Sequence, residues 1–332
     1  MAPTCWVGAF FIFGVRMLPH IVYNLVQVAV VMGFSPLVAG VINRLKEMVQ
    51  SKRGPSVLQP YRDIWKLFHK DQVISEQSSW IFRFTPYVVF VAPIFVTLLI
   101  PVLTNYPLFL AFMGDMLGGG FVLALAGFFA TLAAVDTANP YGPMGASRTR
   151  LVGFLAEPVF MIVFFTVSFV AGSTIPYIVQ QQWVQPFSNF FEPAHVLIIL
   201  AFFILILAEG GRIPVDNPSG HFELAMIDES KGLEYSGPAA ALMKWGGEMK
   251  LFVLICILLN VLVTPWGLAQ TTAPGAVLLA IPAVLLKIFL FVLVLVIVES
   301  SLAKLRLFRI SEFLGAAFII SVAAMISWLF AV

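Results

Sequence analysis

Eight stretches of this chain are apolar over roughly the length a helix needs to cross a bilayer, about 20 residues. They are His20–Ile42, Phe84–Leu103, Met116–Val135, Leu151–Ala171, His195–Ala208, Met249–Leu268, Ala276–Val298 and Phe313–Phe330. No other feature constrains the fold as strongly. Lipid offers the backbone no hydrogen-bond partner, so each stretch must satisfy its own N–H and C=O groups as a helix. The expected fold is an all-α polytopic membrane protein, with residues 1–332 in a single integral membrane domain. The fifth stretch is short for a span. Trp6–Val15 either lengthens the first span or lies at the interface.

Composition agrees. The chain is 60% hydrophobic and 11% charged, against about 45–50% and about 25% for a soluble domain. A soluble protein, a disordered chain and a disulfide scaffold are excluded. Nucleic acid is an improbable partner, because 19 basic against 17 acidic residues leave no excess to meet phosphates. The 32 Phe, 7 Trp and 7 Tyr suit a lipid-facing surface. Cys5 and Cys256 are far apart, and His20, His69, His195 and His221 are scattered, so neither a disulfide nor a metal site is expected. Met1 to Gly14 is apolar without a basic flank and does not read as a cleaved signal peptide.

Charge alternates along the connections. The first loop carries Arg44, Lys46, Lys52, Arg53, Arg62, Lys66, Lys70 and Arg83; the third carries Arg148 and Arg150. The fifth carries Arg212, Lys231, Lys244 and Lys250, and the seventh Lys304, Arg306 and Arg309, which together place 17 of the 19 basic residues. The second, fourth and sixth loops carry none. By the positive-inside rule the odd loops are cytoplasmic and both termini are not.

Two of these loops are long, residues 43–83 and 209–248, and too rich in Trp, Leu, Ile and Tyr to be disordered. In the first, Tyr61, Ile64, Trp65 and Phe68 fall on one helical face and Arg62, Lys66, His69 and Lys70 largely on another. That pattern is a basic amphipathic helix at the bilayer surface.

Ionisable groups inside spans are costly and usually face a bundle interior. Glu157 and Lys287 fall within spans four and seven, while Asp136, Glu209 and Glu299 end spans three, five and seven. Each is a candidate either for a proton relay or for a structural contact. Residues 209–237 gather Glu209, Asp216, Glu223, Asp228, Glu229 and Glu234 beside only Arg212 and Lys231. Gly210, Gly211 and Pro214 stop span five. Asn217 and Pro218 open a helix expected to run to about Lys231, with Gly232 just past its end and Asp216 at its N-terminus. These acids, set among Leu, Met, Ile and Tyr, read as a partly buried funnel at the membrane surface.

These residues resemble a known family. AEGGRIPVD, FEL and EYSG in residues 208–237 are similar to the cytoplasmic loop of the H-type subunit of complex I and its hydrogenase relatives. Gly145-Ala146-Ser147-Arg148 followed by Glu157 matches as well. So do Arg53-Gly54-Pro55, Leu58-Gln59-Pro60, Lys66-Leu67, Lys287, Lys304 and Arg306. The resemblance covers about residues 20–330. Only Ser56-Val57 separates Gly54-Pro55 from Leu58-Gln59-Pro60, Ser219 and His221 replace two acids of the quinone-reducing branch, and Glu299 stands where that branch has Arg. Val215-Asp216-Asn217-Pro218 with His221 and Glu223-Leu224 is similar instead to the membrane subunit of energy-converting nickel–iron hydrogenases, including hydrogenase-4 and formate hydrogenlyase types.

The resemblance implies a membrane-anchoring, ion-coupling subunit of a prokaryotic cytoplasmic-membrane oxidoreductase complex. It implies no redox cofactor in this chain, with iron–sulfur clusters and a nickel–iron centre in partner subunits. Hydrogenase small and large subunits and iron–sulfur subunits would dock on the two long loops, and antiporter-like subunits alongside in the bilayer. The implied relay is Asp136, Glu157, Glu209, Asp216, Glu223, Asp228, Glu229, Glu234, Lys287 and Glu299. Arg148 and Lys287 would tune its carboxylates, and Arg53, Arg62, Arg148 and Arg212 are expected to supply docking and electrostatics. A quinone-reducing complex I subunit and a stand-alone secondary transporter with a broken fifth helix are the alternatives.

Overall fold

A computed structural model describes residues 4–108, 114–137, 139–184, 192–216, 227–263 and 266–331. Its helices are α1 (Thr4–Val49), α2 (Gln59–Phe68), α3 (Trp80–Leu99), α4 (Met116–Val135), α5 (Tyr141–Ala171) and α6 (Pro176–Val184), followed by α7 (Pro193–Glu209), α8 (Gly237–Cys256), α9 (Pro274–Ser301) and α10 (Leu307–Ala331). A π-helical turn, Ile257–Val263, continues α8. Among the described residues seven helices are long and apolar enough to span a bilayer, and α7 is a shorter apolar helix. The chain is a multi-pass membrane protein.

Local chemistry sets the helix ends. Ser79 Oγ accepts a hydrogen bond from Ile81 N–H at the start of α3, and Asp115 Oδ1 accepts from Leu117 N–H at the start of α4. Proline occupies the first turns of α7, α8 and α9, where its missing N–H is no loss. Gly172, at φ +64°, ends α5.

Several boundaries differ from the hydropathy reading. Span one was expected to end at Ile42, but α1 runs on to Val49 and takes in Arg44 and Lys46; Trp6–Val15 is part of the same helix. The first connection is therefore 50–79, not 43–83. The second ends at Ser236 rather than at residue 248, because Gly237-Pro238 and an alanine-rich turn start α8 early. Lys244, Glu248 and Lys250 had marked that stretch as loop, yet they are helical. The expected helix from Pro218 to Lys231 falls largely on residues 217–226, outside the described residues. Its described end is a bend at 227–228 and a 3₁₀ turn, Glu229–Gly232.

α8 is the most enclosed of the long helices, while α9 and α10 turn broad apolar faces outward, including Leu279, Ile297, Ile319 and Phe330. α7 lies among α10, α5 and the π-turn, with Ile198, Ala201, Phe202 and Leu205 fully buried. Its 17 residues rise only about 26 Å, short of the roughly 30 Å hydrocarbon layer. α2 packs on α8 and α1 through Ile64, and Tyr61 Oη donates to the Gly33 carbonyl of α1.

The odd and even connections gather at opposite ends. At the odd end Asp136 meets Ser79, Asn139 meets Glu234, Val73 meets Ser236, and Leu305 N–H donates to Pro214 O. At the even end Ala269 N–H donates to Leu103 O and Met116 N–H to Thr174 O. The segregation of charge along the sequence is thus a segregation in space.

Candidate functional site

A cavity of about 110 Å³ opens between α4, α5 and the 209–216 segment, with Ile227, Asp228 and Lys231 closing it. That volume holds several waters at about 10–15 Å³ each. Four carboxylates line it, Glu157, Glu209, Asp216 and Asp228, together with Arg150, Lys231 and Lys250.

The 209–216 segment turns tightly. Gly211, at φ +58°, adopts a left-handed conformation that an L side chain would strain. Arg212 N–H donates to Leu207 O, and Val215 and Asp216 N–H both donate to Arg212 O. The downstream stretch is fixed to α5. Thr149 Oγ1 donates to Ile227 O, and Gly145 lets the Glu229–Gly232 turn come close. A Cβ on Gly145 would stand 1.6 Å from Ser230 Oγ, and Ser230 is itself buried. The Gly-Ala-x-Arg motif of α5 is therefore a contact surface for the acidic loop.

Charge compensation differs among the four acids. Asp216, 3% exposed, accepts from Ile227 N–H at 3.1 Å and Asp228 N–H at 2.9 Å through Oδ2, and from Lys304 Nζ at 2.8 Å through Oδ1. Its anion partners are thus backbone groups 11 and 12 residues on and a lysine 88 residues away. Glu209 pairs with Lys250 at 2.6 Å. Asp228 pairs with Lys231 at 2.5 Å. Burial pulls the Asp228 carboxyl upward, but Lys231 and Lys250 outweigh it and hold it below the usual carboxylate range. Glu157 differs. It reaches the cavity from mid-α5, is exposed, and has no ion pair or hydrogen bond among the described residues. Arg150, about two turns earlier on the same face of α5, lies over the Phe128 ring at 5.1 Å.

The structure brings together four of the ten relay candidates. Glu223 lies outside the described residues. Asp136 ends α4 as an acceptor for Ser79 N–H at 2.7 Å and does not line the cavity. Glu229 is exposed on the 3₁₀ turn, and Glu234 accepts from Asn139 Nδ2. Lys287 sits toward the even end, donating to Asn260 Oδ1 at 2.7 Å and Trp266 O at 3.0 Å. Glu299, 1% exposed, faces Lys46 and Arg212 instead.

Among the expected docking residues, Arg53 and Arg62 are exposed at the odd end. Arg212 is 7% exposed and faces the buried Glu299 carboxylate. Arg148 is half-buried on α5, and Arg150 is the arginine at the cavity. Sequence reading also missed Lys250 and Lys304 as partners of the acids, Lys304 having a signal as part of the family pattern; Lys231, read as lying beside the acids, pairs with Asp228. No cluster of three or more His, Cys, Asp or Glu suited to a metal occurs among the described residues.

Comparison with known proteins follows the same lines. A family model described as NADH dehydrogenase matches residues 21–330. Formate hydrogenlyase subunit 4 of Escherichia coli K12 is 34% identical over 289 residues, covering 86% of this chain and 92% of that protein. Hydrogenase-4 component C of the same organism is 30% identical over 313 residues, covering 93% and 96%. A chain in the structure of the membrane-bound sulfane sulfur reductase, an archaeal respiratory membrane complex, superposes with a TM-score of 0.78 at 20% identity, covering 92% of this chain and 98% of that one. That last likeness is one of fold.

Proposed function

This chain belongs to the NADH dehydrogenase family, and on that premise we propose that it is the membrane-anchoring, ion-coupling subunit of a formate hydrogenlyase- or hydrogenase-4-like complex. The relatives named for those complexes match it over most of both chains. The complex is an oxidoreductase. In this reading the chain itself carries no redox cofactor, and iron–sulfur and nickel–iron centres belong to partner subunits. Those partners dock at the odd end, where Arg53, Arg62 and the acidic loop lie. Antiporter-like subunits pack alongside in the bilayer. The odd end faces the prokaryotic cytoplasm and the termini face away from it.

One observation carries the coupling role: a cavity large enough for several waters joins three ion-paired carboxylates of the loop region to Glu157, the cavity carboxylate without an ion pair among the described residues. A change of charge at the docked partners acts on Asp216 and Asp228 through their short links to Lys304 and Lys231. Glu209 and its Lys250 share the cavity wall with those acids and Glu157. Water in the cavity passes the proton to Glu157, which exposes it toward the neighbouring membrane subunit. The direct test is the intact complex in sealed vesicles. Electron transfer to protons should acidify one side without added quinone. Turnover that requires quinone, or that moves no ion, would remove this reading.

A further inference from the structure

A second charged cluster lies at the odd end and lines no part of the cavity. Glu299, near the end of α9, is 1% exposed; Lys46 of α1 and Arg212 of the 209–216 segment are 5% and 7% exposed. Lys46 Nζ stands 3.5 Å from one Glu299 oxygen and Arg212 Nε 3.8 Å from the other. Glu248 of α8 is the fourth member, half-buried, with Arg212, Lys244 and Asp63 as its charged neighbours.

At 3.5 and 3.8 Å the contacts are ion pairs, longer than the about 2.7–2.9 Å of a direct N–H···O bond between ions. Lys46 Nζ, Arg212 Nε and Nη1, Glu248 Oε2 and both Glu299 oxygens are buried without a hydrogen-bond partner among the described residues, so attraction between the charges is what holds the cluster together. Two cations beside the carboxylates disfavour a metal ion, and the central Glu299 disfavours an anion. With both glutamates ionised the four charges sum to zero.

We propose that Lys46, Arg212, Glu248 and Glu299 form a buried charge latch that holds the 209–216 segment, and with it one wall of the cavity, against α1 and α9. The latch works because Arg212 is bonded by its own backbone into that segment: its carbonyl accepts from Val215 and Asp216 N–H. Removing the Glu299 charge leaves Lys46 and Arg212 with too little counter-charge, a costly arrangement for buried groups. The segment is then pushed from its seat.

Amide hydrogen exchange on the purified intact complex tests this without reference to ion coupling, so it stands or falls separately from the relay. In Glu299→Gln the Val215 and Asp216 amides should exchange about tenfold faster. Adding Lys46→Met should slow them back toward the parent rate. Unchanged exchange in Glu299→Gln, or a double variant no slower than the single, overturns the latch. If Glu299→Gln does not assemble, the milder Glu299→Asp decides: its shorter side chain holds the carboxylate farther from Lys46 and Arg212, and the same two amides should exchange faster than in the parent. Unchanged exchange overturns the proposal.

Discussion

The two ends of the bundle bury polar groups for different purposes. At the even end the buried groups are mostly neutral and serve the backbone. Gln27 Nε2 donates to Thr97 O and Ile100 O, and Asn260 Nδ2 to Pro101 O and Val102 O. These carbonyls are orphaned where α3 gives way to loop, and amides with two donors each are the economical cap. Lys287 joins the same knot through Asn260 and Trp266 O, and the π-turn that presents Asn260 lies against α7 and α6. At the odd end many of the buried groups are charged; they pair with one another, Asp216 accepts from backbone N–H as well, and several of them line a cavity. The even end is a plug; the odd end holds the groups that can change charge. α7 spans between them, too short to reach both surfaces unaided.

Several substitutions break or sharpen that contrast. The largest effect is expected from Gly145→Val, which drives two branches into Ser230 and separates the acidic loop from α5. The complex should fail to retain this subunit in detergent extracts, while the even end is untouched. Next is Asn260→Leu, which strands two loop carbonyls and takes one acceptor from the Lys287 ammonium. An unmet buried polar group costs about 1–3 kcal/mol, so a loss of about 3 kcal/mol is expected as a lower thermal midpoint, with ion coupling retained in whatever folds. Asp216→Asn should cost about 1–3 kcal/mol through its weakened bond to Lys304 and should reduce turnover or coupling as well. Wild-type coupling in that variant would remove Asp216 from the relay. The smallest effect is that of pH on the half-exposed Asp228. Its folded-state pKa lies below the unfolded one, so its contribution to stability is present at neutral pH and is lost as pH falls through the folded value. Asp228→Asn should flatten the acid limb of a stability–pH profile slightly and leave the limb above neutrality unchanged.

Much of this contrast is written in the sequence, and some of it is not. Hydropathy places α4 at Met116–Val135, the bounds the structure has, because its ends are marked by Asp115 and Asp136 with no charge between. It misplaces α8, because Lys244, Glu248 and Lys250 read as loop when each has a charged neighbour waiting: Asp63 for Lys244, Arg212 for Glu248 and Glu209 for Lys250. A helix tolerates charge where tertiary partners supply the counter-charge, and local pattern carries no sign of that. The acidic run of residues 209–234 was legible as unusual, and Glu157 was legible as an acid in a span. That Glu157 shares a cavity with Glu209, Asp216 and Asp228, whereas Asp136 merely accepts from Ser79 N–H, depends on how α4, α5 and the loop pack. Glu299 was read as a relay candidate, yet its neighbours Lys46 and Arg212 come from α1 and the fifth connection. Only the closed bundle brings them together.

The central claim is that the charge of Glu157, facing the cavity without an ion pair among the described residues, couples electron transfer to ion movement. The measurement that tests it is the ratio of ions moved to electrons transferred, in vesicles holding the Glu157→Gln complex and, as the control outside the cavity, the Asp136→Asn complex. Asparagine keeps an acceptor for Ser79 N–H, so the control should behave as the parent. The account predicts that Glu157→Gln assembles and transfers electrons but moves few or no ions. A Glu157→Gln complex with the parent ratio, or an Asp136→Asn complex with the same defect, would contradict it.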